Sequence, residues 1–221
     1  WERKDAQPAP KIEPPAPKRQ IVLVDRPGSV QADIHVGRVA PTRSSAEYFP
    51  LMVGNAILGG GANSRMFKNI REKEGFAYDA HSEYDVKRDS GEVAAVTEVR
   101  NEVIEPALRA LLGELQQIAG TRVSAQELSG TKNYIAGTYL LSLGSQDGLA
   151  SRLDRLKTLG LPNESLETFT ANVRNVEPDQ ILAAAKKYLS PDQDAIVVVG
   201  DASKIGDALK KFGNVTVTKA D

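Results

Sequence analysis

Apolar positions along this chain show both the strand period of two and the longer helical period. Residues 21–25 (IVLVD) are a short apolar run, and residues 30–39 alternate apolar and polar side chains, as a half-buried strand does. Residues 76–86 and 92–99 predict two more strands, joined through the turn sequence KRDSG as a hairpin. Two late strands are also predicted: 194–201, central in the sheet because it is continuously apolar, and 215–218.

Helical periodicity fills the first gap between these strands. Residues 45–58 predict a helix that has to accommodate Pro50. After a run of three glycines, a second helix is expected to begin with Asn63 as its N-cap and to end at Gly75.

The long segment between the hairpin and the late strands is predicted to be helical throughout. A long amphipathic helix runs from Val103 to Ile118, with Pro106 in its first turn. The next helix, over 124–143, starts with a capping box between Ser124 and Glu127. Further helices are predicted over 146–162, 164–176 and 178–189, and a short one precedes the last strand.

This order of elements indicates the fold class. Strands that are neighbours in sequence are expected to form hairpins, while helices come in blocks. We therefore predict an α+β fold, a two-layer sandwich with a mostly antiparallel sheet and helices packed on one face. Residues 1–19, rich in proline, are expected to be a linker, and residues 20–221 a single domain.

Composition narrows the function classes. The 28 basic and 29 acidic side chains leave a net charge of −1, which gives no electrostatic basis for binding nucleic acid. No apolar run is long enough to predict a membrane span. The absence of cysteine excludes disulfides, thiolate zinc sites and cysteine nucleophiles, and suits a bacterial cytoplasm or periplasm, the periplasm being slightly favoured.

Several sites with known sequence signatures are poorly supported. The loop LGGGANSR (58–65) lacks the lysine of a phosphate-binding loop and the third glycine of a dinucleotide fingerprint, so a flexible turn is the better interpretation. His81 and Glu83 share a strand face, but such a pair is more often a surface pair than a metal site. His35, on the polar side of its strand, is interpreted as solvent-facing. We expect no metal to be held by this chain alone.

Arg71 and Tyr78 remain as candidates. A reversal at Gly75 can bring both side chains to one edge, where an arginine fork and a tyrosine hydroxyl could hold a peptide carbonyl or a carboxylate. The alternative is an exposed arginine at a helix end and a packed strand tyrosine.

A longer motif surrounds this pair. The segment reads Leu58 followed by three glycines, then Ser-Arg-Met-Phe from 64 to 67, then Ile-Arg-Glu-Lys-Glu-Gly-Phe-Ala-Tyr from 70 to 78. It resembles the C-terminal, non-catalytic domain of the pitrilysin/insulinase family of zinc peptidases, which includes mitochondrial processing peptidase and the core proteins of the cytochrome bc1 complex. The resemblance covers roughly Gln20 to the end.

The resemblance implies a function that needs a second half. In this family two similar halves close around a peptide; one carries an inverted HxxEH zinc site, where zinc activates water. The other half supplies an arginine and a tyrosine, which by this match are Arg71 and Tyr78. Gly59, Gly60 and Gly61 lie where the processing peptidase has a longer substrate-handling loop, and are a possible substrate loop.

Three function classes follow. The chain is expected to be part of a longer protein or assembly: the C-terminal half of a zinc endopeptidase whose HxxEH half is fused upstream or supplied as a separate subunit. The alternative is a non-enzymatic assembly subunit like the bc1 core proteins. A nucleotide-binding module is the third class, weakened by the glycine spacing.

Overall fold

The computed structural model describes residues 16–219, so most of the predicted linker, residues 1–15, lies outside the described part. One six-stranded sheet organises the domain. Its strands are β1 (Gln20–Asp25), β2 (Gln31–Ala40), β3 (Ala77–Val86), β4 (Gly91–Arg100), β5 (Ala195–Gly200) and β6 (Val215–Lys219). Their order across the sheet is β3-β4-β2-β5-β1-β6.

Three strand pairs are antiparallel and two are parallel. The predicted hairpin of β3 and β4 is present, and β5 is central as expected. The predicted hairpin of β1 and β2 is wrong, because β5 lies between them. Both β1 and β5 are short, nearly continuous apolar runs, which is typical of parallel strands covered by neighbours.

The connection from β1 to β2 therefore crosses the end of β5. The amide of Arg26 donates a hydrogen bond to the Gly200 carbonyl oxygen (2.8 Å), and the amide of Gly28 donates to the Asp201 carboxylate (2.9 Å). These contacts fasten a connection that the sequence pattern predicted to be a simple turn.

Seven α-helices lie within the described residues. Pro50 and Pro106 each stand in the first turn of a helix, where the missing N–H is one that needs no intrahelical partner. The capping box of Ser124 and Glu127 is present. The helices are α1 (Tyr48–Gly59), α2 (Ile104–Gly120), α3 (Ala125–Ser142), α4 (Gln146–Thr158), α5 (Ser165–Arg174), α6 (Pro178–Tyr188) and α7 (Ala202–Lys210).

One face of the sheet is buried under helices. Alternation in β2 buries Ala32, Ile34 and Val36 while His35 is exposed, as predicted. Helices α1, α2 and α6 contact one another and the sheet, and α3 and α5 pack outside α1. The architecture is thus the predicted α+β sandwich. Within residues 16–219, no helix has the length and apolarity that crossing a bilayer requires.

Arg38 of β2 forms a buried ion pair and also ties the end of α6 to the sheet. The Nε atom of Arg38 lies 2.5 Å from a carboxylate oxygen of Asp194, and both side chains are at least 95% buried. Arg38 also donates to the carbonyl oxygens of Lys187 (2.8 Å) and Ser190 (2.7 Å). Because all three guanidinium nitrogens of Arg38 have partners and Asp194 carries the opposite charge, the buried positive charge is compensated inside the protein.

Candidate functional site

The segment that carries Arg71 is a π-helix, Phe67–Lys73, rather than the predicted α-helix. The amide of Glu74 donates to the Asn69 carbonyl oxygen (2.9 Å), a bond five residues back along the chain. The predicted cap is off by one residue: the Phe67 amide donates to the Ser64 hydroxyl (3.4 Å), so Ser64 and not Asn63 satisfies the first turn. Single π-helical turns are rare and concentrate at functional sites.

The π-helix ends where the sequence predicted. Gly75 has a φ angle of +63°, a left-handed conformation that glycine adopts without steric cost. Just beyond it, the Phe76 amide donates to the Ile70 carbonyl oxygen (3.0 Å). The chain reverses at this point and enters β3.

A bulge at the start of β3 places Tyr78. Ala77 pairs with Val99 and Ala80 pairs with Thr97, so two residues of β3 stand opposite one residue of β4. The buried hydroxyl of Thr97 donates to the Asp79 carbonyl oxygen (2.8 Å) and holds the bulge. Tyr78 itself is 84% exposed, which removes the alternative of a packed strand tyrosine.

The structure brings Arg71 and Tyr78 together. The guanidinium carbon of Arg71 lies 4.8 Å from the centroid of the Tyr78 ring and 4.5 Å from that of Phe67. In the described part of the chain, no carboxylate forms an ion pair with Arg71. The charge is therefore held against aromatic rings while its N–H donors stay free for another acceptor.

Acidic groups surround the nearby histidine. The two ring nitrogens of His81 lie 2.7 Å from an Asp79 oxygen and 3.0 Å from a Glu83 oxygen. Among the described side chains, no group of three or more histidine, aspartate or glutamate residues could hold a metal ion. Residues 16–219 therefore offer no set of side chains that fits a zinc site.

The three glycines of the candidate loop divide into two kinds. Gly59 closes α1 against β3: a Cβ atom there would lie 2.1 Å from the backbone nitrogen of Ser82, so only glycine fits. Gly60 also lacks room for a side chain, since a Cβ atom there would lie 2.6 Å from the Ala56 Cα atom, but Gly60 and Gly61 line a pocket of about 590 Å³, a volume in the range of ligand sites. The exposed Tyr134 of α3 lines it too.

Arg65 fixes the geometry of this pocket. Its Nε and Nη2 atoms donate to the two carboxylate oxygens of Glu127 at 2.9 and 3.0 Å, a two-point contact that joins the start of the π-helix to α3. The guanidinium is the main reason that the pKa of the Glu127 carboxyl falls to about 2. Ser124 adds further hydrogen bonds to this carboxylate.

Sequence reasoning missed three residues of this region. Arg65 lies inside the motif, but its partner Glu127 is remote in sequence and is visible only in three dimensions. Phe67 is four residues before Arg71, and this helical i, i+4 spacing was a signal that could have been used. The third missed residue, Tyr134, could have been noticed from the sequence. The apolar residues of α3 do not lie on one face of the helix, so some of its large side chains have to be exposed, and Tyr134 is one of them.

Comparison with known proteins identifies the family. The sequence profile described as "Peptidase M16 inactive domain" matches residues 1–135, and the chain belongs to this family. An uncharacterized zinc protease of Mycobacterium tuberculosis is 27% identical over 185 residues, which are 84% of this chain and 42% of that protein. The chain thus spans less than half of this relative, and the resemblance to zinc peptidases of the pitrilysin/insulinase type is confirmed.

Solved structures agree with this assignment. The peptidase M16 inactive domain from Pseudomonas fluorescens superposes with a TM-score of 0.78 at 28% identity, covering 87% of this chain and 46% of that one. A chain of Complex III2 from Candida albicans superposes with a TM-score of 0.70 over 90% of this chain and 50% of its own length. At 12% identity, that second likeness shows the fold alone.

Proposed function

We propose that this domain is the substrate-binding half of a zinc endopeptidase and supplies Arg71 and Tyr78 to a cleft shared with an HxxEH-bearing half. One observation carries the proposal: the guanidinium carbon of Arg71 lies 4.8 Å from the ring centroid of the exposed Tyr78. Among the described residues, no carboxylate pairs with Arg71. The fold gains little from leaving either group in this state. A peptide in the cleft would supply the missing acceptors.

The chemistry of the pair suits a peptide bond under attack. The Arg71 fork can donate two hydrogen bonds to a backbone carbonyl or a carboxylate, and the Tyr78 hydroxyl can donate one. Negative charge grows on the carbonyl oxygen as a tetrahedral species forms, and donors fixed in advance stabilise that charge. The zinc-bound water belongs, in this proposal, to the other half, which is fused upstream or is a separate subunit.

The test is made in the protein that contains both halves. Arg71→Ala and Tyr78→Phe variants are assayed for hydrolysis of fluorescein-labelled casein, with bound zinc measured for each. Removal of one such donor typically lowers turnover by roughly 10²–10³-fold, and zinc content should stay unchanged. Turnover near the wild-type value in both variants would overturn the assignment of these residues.

The alternative is an assembly subunit without proteolysis. The fold shared with a chain of Complex III2 is compatible with that function, but fold likeness does not set function. An assembly subunit has no need of an arginine and a tyrosine held ready for a ligand. A wild-type two-half protein that binds zinc yet cleaves no peptide of a casein digest would favour this alternative.

The glycine loop forms a second part of the proposal. Gly60 and Gly61 expose backbone at the mouth of a pocket that also presents Lys68 and Tyr134. We expect a segment of the substrate to lie here, with its backbone against the loop and a side chain against Tyr134. Tyr134→Ala should then raise KM several-fold with little change in kcat, whereas an unchanged KM would remove the pocket from the binding site.

A further inference from the structure

Phe67 has an unusual position for a large apolar residue. It opens the π-helix between two fully buried side chains, Met66 just before the helix and Ile70 within it. In the described structure, Phe67 is only partly buried and is not one of the side chains that pack against that core, unlike Phe76. Its ring contacts the guanidinium of Arg71, with 4.5 Å between ring centroid and guanidinium carbon.

Other arginines of the domain show what this contact achieves. Glu127 occupies the Nε and Nη2 donors of Arg65 and leaves only Nη1 without a partner among the described residues, and Asp194 and two carbonyl oxygens occupy the Arg38 guanidinium. Such partners fix an arginine but consume its donors. An aromatic ring attracts the cation through its π face and leaves the N–H groups free.

We propose that Phe67 is the positioning residue of the Arg71–Tyr78 pair. The proposal rests on the proposed function, in which Arg71 binds substrate. Phe67 and Tyr78 together hold the guanidinium by its contacts with two rings, so the flexible arginine is ordered before the peptide arrives. Ordering a side chain in advance removes part of the entropy cost of binding. Phe67 takes no part in proton transfer and does not touch the reacting atoms.

The π-helix explains why position 67 serves this purpose. Residues four apart lie on nearly the same side of a helix, so Phe67 and Arg71 are neighbours within one wide turn. The Ser64 hydroxyl fixes the amide of Phe67, and the bidentate contact of Arg65 holds the start of the turn to α3. The ring is therefore attached to an anchored part of the helix, where it meets the Arg71 side chain four residues later.

Two variants of Phe67 separate stacking from simple packing. Phe67→Tyr keeps an aromatic face, and Phe67→Leu keeps an apolar side chain without one. Phe212→Leu is the matched control, because it removes a ring from Arg109 (5.3 Å) and leaves the pair Arg71 and Tyr78 untouched. In the two-half protein, Phe67→Leu should lower kcat/KM for casein hydrolysis by roughly three- to thirty-fold. The tyrosine variant and the Phe212 control should stay within about two-fold of wild type.

A structural readout accompanies the kinetics. The side-chain protons of Arg71 should show ring-current shifts in the NMR spectrum of the 221-residue chain, and Phe67→Leu should reduce these shifts while Phe212→Leu leaves them unchanged. Unchanged Arg71 shifts and unchanged kcat/KM in Phe67→Leu would overturn the inference. The same spectra show whether each variant is folded, so a loss of kcat/KM caused by misfolding is distinguished from a loss transmitted through Arg71.

A double variant separates this inference from the proposed function. In an Arg71→Ala background, Phe67→Leu should cause no further loss of kcat/KM, because its effect is transmitted through Arg71. A further loss there would show that Phe67 acts independently and would overturn the inference alone. Wild-type kcat/KM in Arg71→Ala would also overturn the inference, and wild-type kcat/KM in both Arg71→Ala and Tyr78→Phe would overturn the proposed function as well.

Discussion

The guanidinium carbon of Arg71 lies 4.8 Å from the centre of the Tyr78 ring, across a reversal of the chain. Three local features produce this contact: the wide turn of the π-helix, the left-handed Gly75 and the bulge that turns Tyr78 outward. Each feature departs from regular secondary structure, and all three lie within a dozen residues. π-Helical turns and β-bulges are both frequent next to functional sites.

Gly75 is expected to be intolerant of a side chain for reasons of backbone alone. Its φ of +63° is disfavoured for alanine, although a Cβ atom would meet no described atom within 4 Å. Gly75→Ala should lower the free energy of unfolding by about 1–2 kcal/mol, measured by urea denaturation. Gly113→Ala, in the exposed interior of α2, should instead stabilise by about 0.5–1 kcal/mol. Equal effects of the two variants would contradict this account.

Thr97 is expected to control the bulge. Thr97→Val removes the hydroxyl that donates to the Asp79 carbonyl and should cost about 0.5–1.5 kcal/mol of stability. It should also weaken the ring-current shifts of Arg71, since Tyr78 is then less firmly placed. Thr97→Ser keeps the hydroxyl and should preserve those shifts; their loss in both variants, or in neither, would show that the hydrogen bond does not place Tyr78.

Glu127 should make stability depend on acid pH. Its pKa is lowered from the ordinary value of 4.5 to about 2, so its stabilising contribution is complete above about pH 4.5. The contribution is lost as the pH falls from 4.5 through 2, because the carboxylate that binds Arg65 becomes protonated. The difference in unfolding free energy between wild type and Glu127→Gln should therefore shrink over this interval. A difference that is constant from pH 5 to pH 2.5 would disagree with this explanation.

Arg38 should be the most sensitive charged position of the sheet. Arg38→Ala leaves the carboxylate of Asp194 buried without its cation and should cost about 3–5 kcal/mol of unfolding free energy. Arg122→Ala is the control, because Arg122 and Asp179 form a pair that is mostly exposed and should be worth at most about 1 kcal/mol. Comparable costs in urea denaturation would refute the distinction.

Local chemistry made much of the fold predictable. The capping box at Ser124, the stop at Gly75 and the position of Pro106 in a first helical turn each depend on residues close in sequence. The placement of β5 between β1 and β2 could not be predicted in this way. The alternation of apolar and polar residues in a strand shows which face is buried, but it does not show which strand lies beside it. The short connection between β1 and β2 favoured a hairpin of these two strands, which the structure does not contain.

The candidate site was predictable only in part. The motif drew attention to Arg71 and Tyr78, and the reversal at Gly75 suggested that they meet. The π-helix was not predictable, because the apolar spacing of Met66 and Ile70 suits an α-helix equally well. The contact of Phe67 with Arg71 follows the i, i+4 spacing of any helix, so the sequence offered a signal for it that was not used.

The most direct test of the central claim is whether a bound peptide touches position 78. A photo-crosslinking amino acid, p-benzoylphenylalanine, is introduced in place of Tyr78 in the two-half protein, and fluorescein-labelled casein peptides are added before illumination. Val217, 57% exposed on the opposite edge strand β6, receives the same group as a control. The account predicts labelled peptide attached at position 78 and none at 217. Equal labelling at both positions, or none at 78, would contradict it.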